Sequence, residues 1–372
     1  MSLLQEQIDT ARMQVHTDSY PMSIGELVNL YDDQELDIHP EFQRVYRWSN
    51  DQKSKLIESI LLGIPLPSIF VAQRKDGVWD VVDGLQRIST ILSFLGKLKD
   101  DEGKTLPSLQ LQKTKYLPAL ENKLWDNPDD PDNEIDIEIK RIFKREKIDV
   151  KIIKRESDDD TKFELFQRLN TGGTRLTEQE VRNCILLMLN KDVFFWLKDL
   201  SINTHFENSI SISEKQKEEC YSQELALRFF ILRNNNDDIR KANNDVAPYL
   251  NAEMTRIFNP QNDYDYDFEK TIFLRTFELI DKALDDQAFR KYHHIKNRYE
   301  GPLSLPVFEA ITYGVSILVE NGNLNDDQII DIIRLKSKEL TSTTTFIDTL
   351  ARRSRPLDRT FTMISLGREV FS

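Results

Sequence analysis

The segment 68–98 constrains this chain more tightly than any other. Residues 68–73 are a short apolar run of strand character, Asp76-Gly77 is a hairpin signal, and residues 78–82 form the partner strand, which delivers Asp83 at its end. Gly84 follows at once, and across 88–98 the apolar positions recur at helical spacing. A hairpin whose second strand turns through a glycine straight into a helix implies a sheet with a helix packed on it, so an α+β arrangement is expected here.

The same junction carries the chemistry. A buried strand that passes through Asp-Gly into a helix presents unpaired backbone N–H groups and the positive end of the helix dipole, which together make a ready anion site. Gly84 lets a phosphate approach the backbone, Gln86 can donate to an oxygen, and Arg87 can grip phosphate with two parallel hydrogen bonds. Asp83 can hold a magnesium ion or orient an attacking water. The plainer alternative is that Asp-Gly only makes the turn and Asp83 caps the helix.

Two further segments have suitable composition. Gln43-Arg44-Val-Tyr46-Arg47-Trp48 alternates long polar donors with aromatic faces that could stack a base, although Tyr46 and Trp48 packed under a loop, with Arg44 in an ion pair, would read the same. Asn170-Thr171-Gly172-Gly173-Thr174 sets a Gly-Gly loop between two helices, either a nest of N–H groups for an anion or a flexible turn.

Around these segments the chain reads as two domains. Ser23-Ile-Gly-Glu26 is a capping-box pattern that opens a helix over 24–31, an extended piece follows at 35–39, and Ser49 or Asn50 caps a helix ended by Gly63 and Pro65. An acid-rich insertion covers about 99–134. A strand is expected at 148–153, a helix at 163–169, and a second capping box, Thr177-Glu-Gln-Glu180, opens a long helix through Cys184 and Leu189. Beyond it nearly every periodic segment is helical, including 224–232, 266–284 and 326–340, and His293-His294 sits in what reads as helical context. The expectation is a small mixed-sheet domain over 1–195 and an all-helical domain over 196–372, without more than two strands beyond residue 215.

Composition narrows the class. The net charge of −13 among 372 residues opposes non-specific attraction to nucleic acid, while leaving room for a local basic groove. Acidic stretches at 126–134 and 158–160 read as solvated loops. Cys184 and Cys220 both fall in helical segments and suit buried thiols of a reducing compartment. The longest apolar stretch, 60–72, is broken by Gly63, Pro65 and Pro67 and is far short of the roughly 20 residues of a membrane helix. No signal-peptide pattern opens the chain, so a cytoplasmic protein is expected.

Four blocks in fixed order resemble the N-terminal domain of GmrSD-type restriction endonucleases. They are Gln43-Arg44-x-Tyr46-x-Trp48, Ser59-Ile-Leu-Leu-Gly-Ile-Pro-Leu-Pro67, Asp83-Gly-Leu-Gln-Arg87 and Phe166-x-x-x-Asn170-Thr-Gly-Gly-Thr174-x-Leu176-Thr-x-x-Glu180, spanning about 38–183. The resemblance implies a fold like ParB and sulfiredoxin and a nucleotide-hydrolysing site at the Asp-Gly-Gln-Gln-Arg block. It also implies service in restriction of modified phage DNA. Leu85 stands where the family has its first glutamine, so that side chain's role is absent. Larger relatives add an HNH-type nuclease module, whose histidine pattern is not evident around His293-His294.

The expected function is therefore a nucleotide-binding, magnesium-dependent hydrolase of ATP or GTP in a restriction or anti-phage system. Asp83, Gln86 and Arg87 would act catalytically, and Gln43, Arg44, Tyr46, Trp48, Gly84, Asn170, Thr171, Gly172 and Gly173 would bind nucleotide. Expected partners are the nucleoside triphosphate, phage or modified DNA, a separate nuclease or partner subunit, and a second copy through the helical half. The rival readings are a DNA nickase using the same site, and a non-catalytic sensor of modified DNA or of a partner. Metal-dependent plasmid nicking marks the first, and tight binding without turnover marks the second.

Overall fold

The computed structural model describes residues 17–38, 48–74, 76–100, 102–154, 177–351 and 355–372. Gln43, Arg44, Tyr46, the helix expected at 163–169 and Asn170, Thr171, Gly172 and Gly173 lie outside the described residues. The chain divides into two compact units, Met1–Leu176 and Thr177–Ser372.

In the first unit, β1 (Thr17–Ser23) leads into α1 (Ile24–Asp32), where the Ser23 hydroxyl accepts from the Glu26 N–H at 3.1 Å, as the capping pattern requires. After the short β2 (Leu36–Asp37), α2 (Asn50–Leu61) opens on a complete capping box between Ser49 and Gln52 and stops before Gly63, which sits at φ +66°. Strands β3 (Ile69–Gln73) and β4 (Trp79–Asp83) pair antiparallel around the Asp76-Gly77 turn, where Asp76 accepts from the Val78 N–H and Gly77 takes φ +94°. Then come α3 (Leu85–Phe94), α4 (Ile137–Arg145) and β5 (Lys147–Ile153).

The sheet order is β1-β5-β3-β4-β2. β1 runs antiparallel to β5, β5 parallel to β3, and β2 parallel to β4, which makes the sheet mixed as expected. Its apolar face comes from alternation. Ile148, Val150 and Ile152 of β5 and Ile69 and Val71 of β3 are buried, as are Ile88, Ile91 and Leu92 on α3.

The segment 99–134 is more than a solvated insertion. Leu109, Leu111, Leu120 and Trp125 are buried, and the Trp125 ring meets Phe94 of α3 and Phe143 of α4 at 5.3 and 5.5 Å between centroids. Glu58 of α2 accepts the Tyr116 and Leu117 N–H groups at 2.8 and 2.9 Å, fastening the segment to the core. Even its acidic stretch has a fixed part: Asp126 and Glu134 both take the Lys140 ammonium, at 2.7 and 2.6 Å.

The second unit is helical: α5 (Glu178–Leu189), α6 (Lys191–Ser201), α7 (Thr204–Ser209), α8 (Glu214–Glu218), α9 (Tyr221–Arg233), α10 (Asp237–Ala242), α11 (Val246–Ile257), α12 (Tyr266–Leu284), α13 (Leu305–Asn321), α14 (Asp326–Leu340), α15 (Thr344–Ala351) and α16 (Pro356–Phe371). Phe206, Phe229, Phe230, Phe273 and Phe277 interlock at its centre. Helices α13 and α16 approach so closely that a Cβ on Gly367 would lie 2.1 Å from the Ala310 carbonyl oxygen. Cys184 and Cys220 are both buried, and neither is in a disulfide.

The helical reading around His293-His294 is corrected. This segment is a two-stranded hairpin, β6 (Lys291–His293) and β7 (Arg298–Glu300). Asn297 takes φ +51° at the turn, Tyr292 and Tyr299 face each other across the strands at 5.0 Å, and the Tyr299 hydroxyl meets Ser337 Oγ of α14 at 2.8 Å. A cross-strand aromatic pair docked on a neighbouring helix outweighs the weak helical preference of so short a run. Among the described residues no helix is long and apolar enough to cross a membrane.

Candidate functional site at the strand–glycine–helix junction

Strand β4 ends on Asp83 opposite Phe70 of β3, beside a register shift between Phe70 and Val71. Gly84 turns the chain at φ +100°, a backbone conformation side-chain-bearing residues rarely adopt. Its missing side chain is needed as well: a Cβ there would sit 2.9 Å from Ile69 Cγ1 and 3.2 Å from Arg87 Nη2. Glycine thus serves both the turn and the close packing of helix against strand.

Gly84 is itself the N-cap of α3, and no side chain caps the helix. The alternative in which Asp83 caps the helix is therefore not what forms. The Asp83 carboxylate instead pairs with Arg87 one helical turn on, Nη2 to Oδ2 at 3.0 Å. The N–H groups that open α3 have no partner inside the helix by construction, which keeps the partial positive charge of this end in place.

Arg87 is turned inward. Its side chain is only 11% exposed, and besides Asp83 its Nη1 donates to the Pro67 carbonyl and both Nη atoms lie 3.3 Å from the Ser68 carbonyl. Burial pulls the guanidinium below its ordinary pKa, and the Asp83 carboxylate opposes that pull. The fork expected to face a ligand thus bridges the end of β4 to the residues that enter β3. Asp83 is the more open partner, with 32% of its side chain exposed.

Gln86 brings a distant segment to the junction. Its Oε1 accepts the Trp48 backbone N–H at 3.3 Å across 38 residues, so Trp48 and Gln86 are neighbours. That bond uses the acceptor half of the amide, and the Nε2 donor makes no hydrogen bond among the described residues. Gln43, Arg44, Tyr46 and the 170–173 loop lie outside the described residues, so their approach to the junction is not part of this geometry.

Sequence reasoning missed Pro67 and Ser68 as partners of Arg87. Their role is carried by main-chain carbonyls, which no side-chain identity announces. It also missed a polar stripe on α5, where Gln179, Arg182 and Asn183 share one face and are all buried. Arg182 bonds to Gln179, Asn251 and Glu224, and Arg228 joins Glu224 to Glu309. The i, i+3, i+4 spacing of polar residues was the available signal. No group of three or more His, Cys, Asp or Glu side chains suited to a metal occurs among the described residues.

A mixed sheet whose hairpin runs through a glycine into an uncapped helix, with an aspartate and a buried arginine at the join, defines an α+β domain organised around one strand–helix junction. Residues 24–187, somewhat less than half of the chain, match the family described as GmrSD restriction endonuclease, N-terminal domain. Over that segment the chain is similar to restriction-system, nuclease-related proteins. No curated protein and no solved structure matches the chain significantly.

Proposed function

We propose that the first unit binds a nucleoside triphosphate, ATP or GTP, at the β4–α3 junction and hydrolyses it with magnesium, as the regulatory part of a DNA restriction or anti-phage system. The observation that carries this reading is the start of α3 on a left-handed glycine without a capping side chain, next to a carboxylate that is only half engaged. A phosphate would meet backbone N–H groups and the dipole there, and the Gln86 amide would supply a further donor. Arg87 would add charge while ordering Asp83 through their 3.0 Å bond.

The residues present suit magnesium only in the mode in which the ion arrives with the substrate. One half-exposed carboxylate, Asp83, supplies a protein ligand, and the phosphates and water supply the rest. Magnesium bound in that way would neutralise charge on the transferred phosphoryl group. Asp83 is anionic and would repel phosphate directly, so its work is to hold the ion or to orient a water, whereas Gly84 and Gln86 bind.

The test is a thermal-stability screen of the whole chain against each nucleoside triphosphate with and without magnesium, followed by phosphate release. Asp83→Asn should retain most of the binding and lose most of the hydrolysis. Arg87→Ala should weaken binding by removing positive charge beside the junction and the 3.0 Å bond that orders Asp83, not by removing a direct phosphate contact. Absence of any nucleotide-dependent shift at millimolar concentration, or normal hydrolysis by Asp83→Asn, would overturn the reading. The endonuclease in the family description supports a second reading, cleavage of DNA at the same junction. It requires metal-dependent nicking of plasmid that disappears in Asp83→Ala.

A further inference from the structure

We infer that the β6–β7 hairpin of the helical unit is a duplex-DNA contact, with Ile295 as a wedge at its tip and the flanking cations on the phosphates. Every charged residue from 290 to 298 is basic: Arg290, Lys291, Lys296 and Arg298, joined by His293 and His294. In a chain of net charge −13 this stretch is locally basic. The hairpin also carries the most exposed large apolar side chain among the described residues, Ile295, at 93%.

The tip is braced. The Lys296 N–H lies 3.4 Å from His293 Nδ1, the Tyr292 hydroxyl bonds to Asn297, and Asn297 holds the positive φ. At the base, Tyr299 bonds to Ser337, Lys338 lies 5.5 Å from the Tyr292 ring, and Thr341 donates to the Tyr292 carbonyl. An isoleucine held out into water on a braced turn gains nothing for the folded chain.

Carboxylates do touch the ribbon. Glu300 pairs with Lys296 and Arg298, and Asp286 pairs with Arg290. Both carboxylates lie outside the 290–298 run, and pairs of this kind on a surface are weak enough to yield to phosphate. A two-stranded ribbon fits a DNA groove, cations beside it neutralise both backbones, and an apolar residue at the tip can part a base step. A single apolar residue is too little for a lipid surface. The inference rests on the DNA-directed reading of the chain and not on nucleotide binding.

The test is fluorescence anisotropy of the whole chain with a labelled duplex of about 30 base pairs, without nucleotide, across 50–200 mM salt. Four neutralised phosphates give a log–log salt slope of about −3.6, a loss of on the order of 100-fold across that range. The triple variant Lys291→Ala, Lys296→Ala, Arg298→Ala should bind at least 10-fold more weakly at 100 mM salt, with a slope about 3 units shallower. Ile295→Ala should weaken binding with the slope unchanged. Unaltered far-ultraviolet dichroism and melting of the variants would exclude unfolding as the cause. Duplex binding that the triple variant leaves intact overturns this inference and spares the DNA reading, whereas no duplex binding at any salt removes both. A preference for single-stranded RNA or anionic vesicles, lost in the triple variant, would likewise overturn the assignment to duplex DNA.

Discussion

Replacing Gly84 by alanine should cost the first unit about 2–5 kcal/mol and disable the junction together with it. The backbone contribution comes from φ +100°, where a side-chain-bearing residue is strained by roughly 1–2 kcal/mol. The packing contribution comes from the new Cβ, 2.9 Å from Ile69 Cγ1, because Ile69 is wholly buried and has no room to retreat. Overpacking of this kind costs about 1–3 kcal/mol. The Cβ would also lie 3.2 Å from Arg87 Nη2, the atom that holds Asp83, so the ion pair should loosen. Trp196 is the one tryptophan of the second unit, so in a Trp196→Phe background tryptophan fluorescence, excited where tyrosine does not absorb, reports on the first unit alone. Urea unfolding followed in that background gives the difference directly. A change below about 0.5 kcal/mol, the size expected of an unremarkable surface substitution, would refute both the packing and the strain argument.

Other sites give separate expectations. Gly367→Ala should destabilise the helical unit by about 3 kcal/mol or more in thermal or urea unfolding, because its Cβ would meet the Ala310 carbonyl oxygen at 2.1 Å and helices α13 and α16 would have to separate. Burial pushes the Glu224 carboxyl up, but Arg228 and Arg182 outweigh it and hold the group below its ordinary range. The stability this contributes is present above the unfolded value of 4.5 and is lost as pH falls through the lower folded value. Glu224→Gln should therefore cost about 3–5 kcal/mol at pH 7, as when a buried pair is broken, and should flatten the acid limb of a pH–stability curve. The Cys220 thiol is pushed up to about 12 by burial. Native protein should accordingly react with a thiol-selective reagent at pH 8 far more slowly than urea-unfolded protein, and prompt labelling of Cys220 would contradict its placement.

Much of the fold was legible because local signals agreed with tertiary demands. Ser49 as a helix cap, Thr177 with Glu180, and the Asp76-Gly77 turn each fix their own backbone within a few residues, and each forms as read. Strand β1 was not legible, since its residues Thr17 to Tyr20 are exposed and nothing in their pattern alternates; only pairing with β5 makes them a strand. Helix α4 was obscured by the charges between its apolar positions. At the junction, the sequence pointed to Asp83, Gly84, Gln86 and Arg87, and it could not show that Arg87 would spend its donors on the carbonyls of Pro67 and Ser68, because main-chain acceptors leave no trace in residue identity.

The place of β5 in the sheet sets a timetable for synthesis. β3 and β4 can pair as soon as both leave the ribosome, since only the Asp76-Gly77 turn separates them. β1 has no partner until β5 arrives, because β5 lies between it and β3. From the completion of β4 to Ile153 the nascent chain therefore carries an edge on β3 and an unpaired β1, both open to other chains. Lys147–Ile153 closes both gaps in one step, so chains arrested just before Lys147 should bind chaperone while those extended beyond Ile153 and clear of the exit tunnel should resist protease.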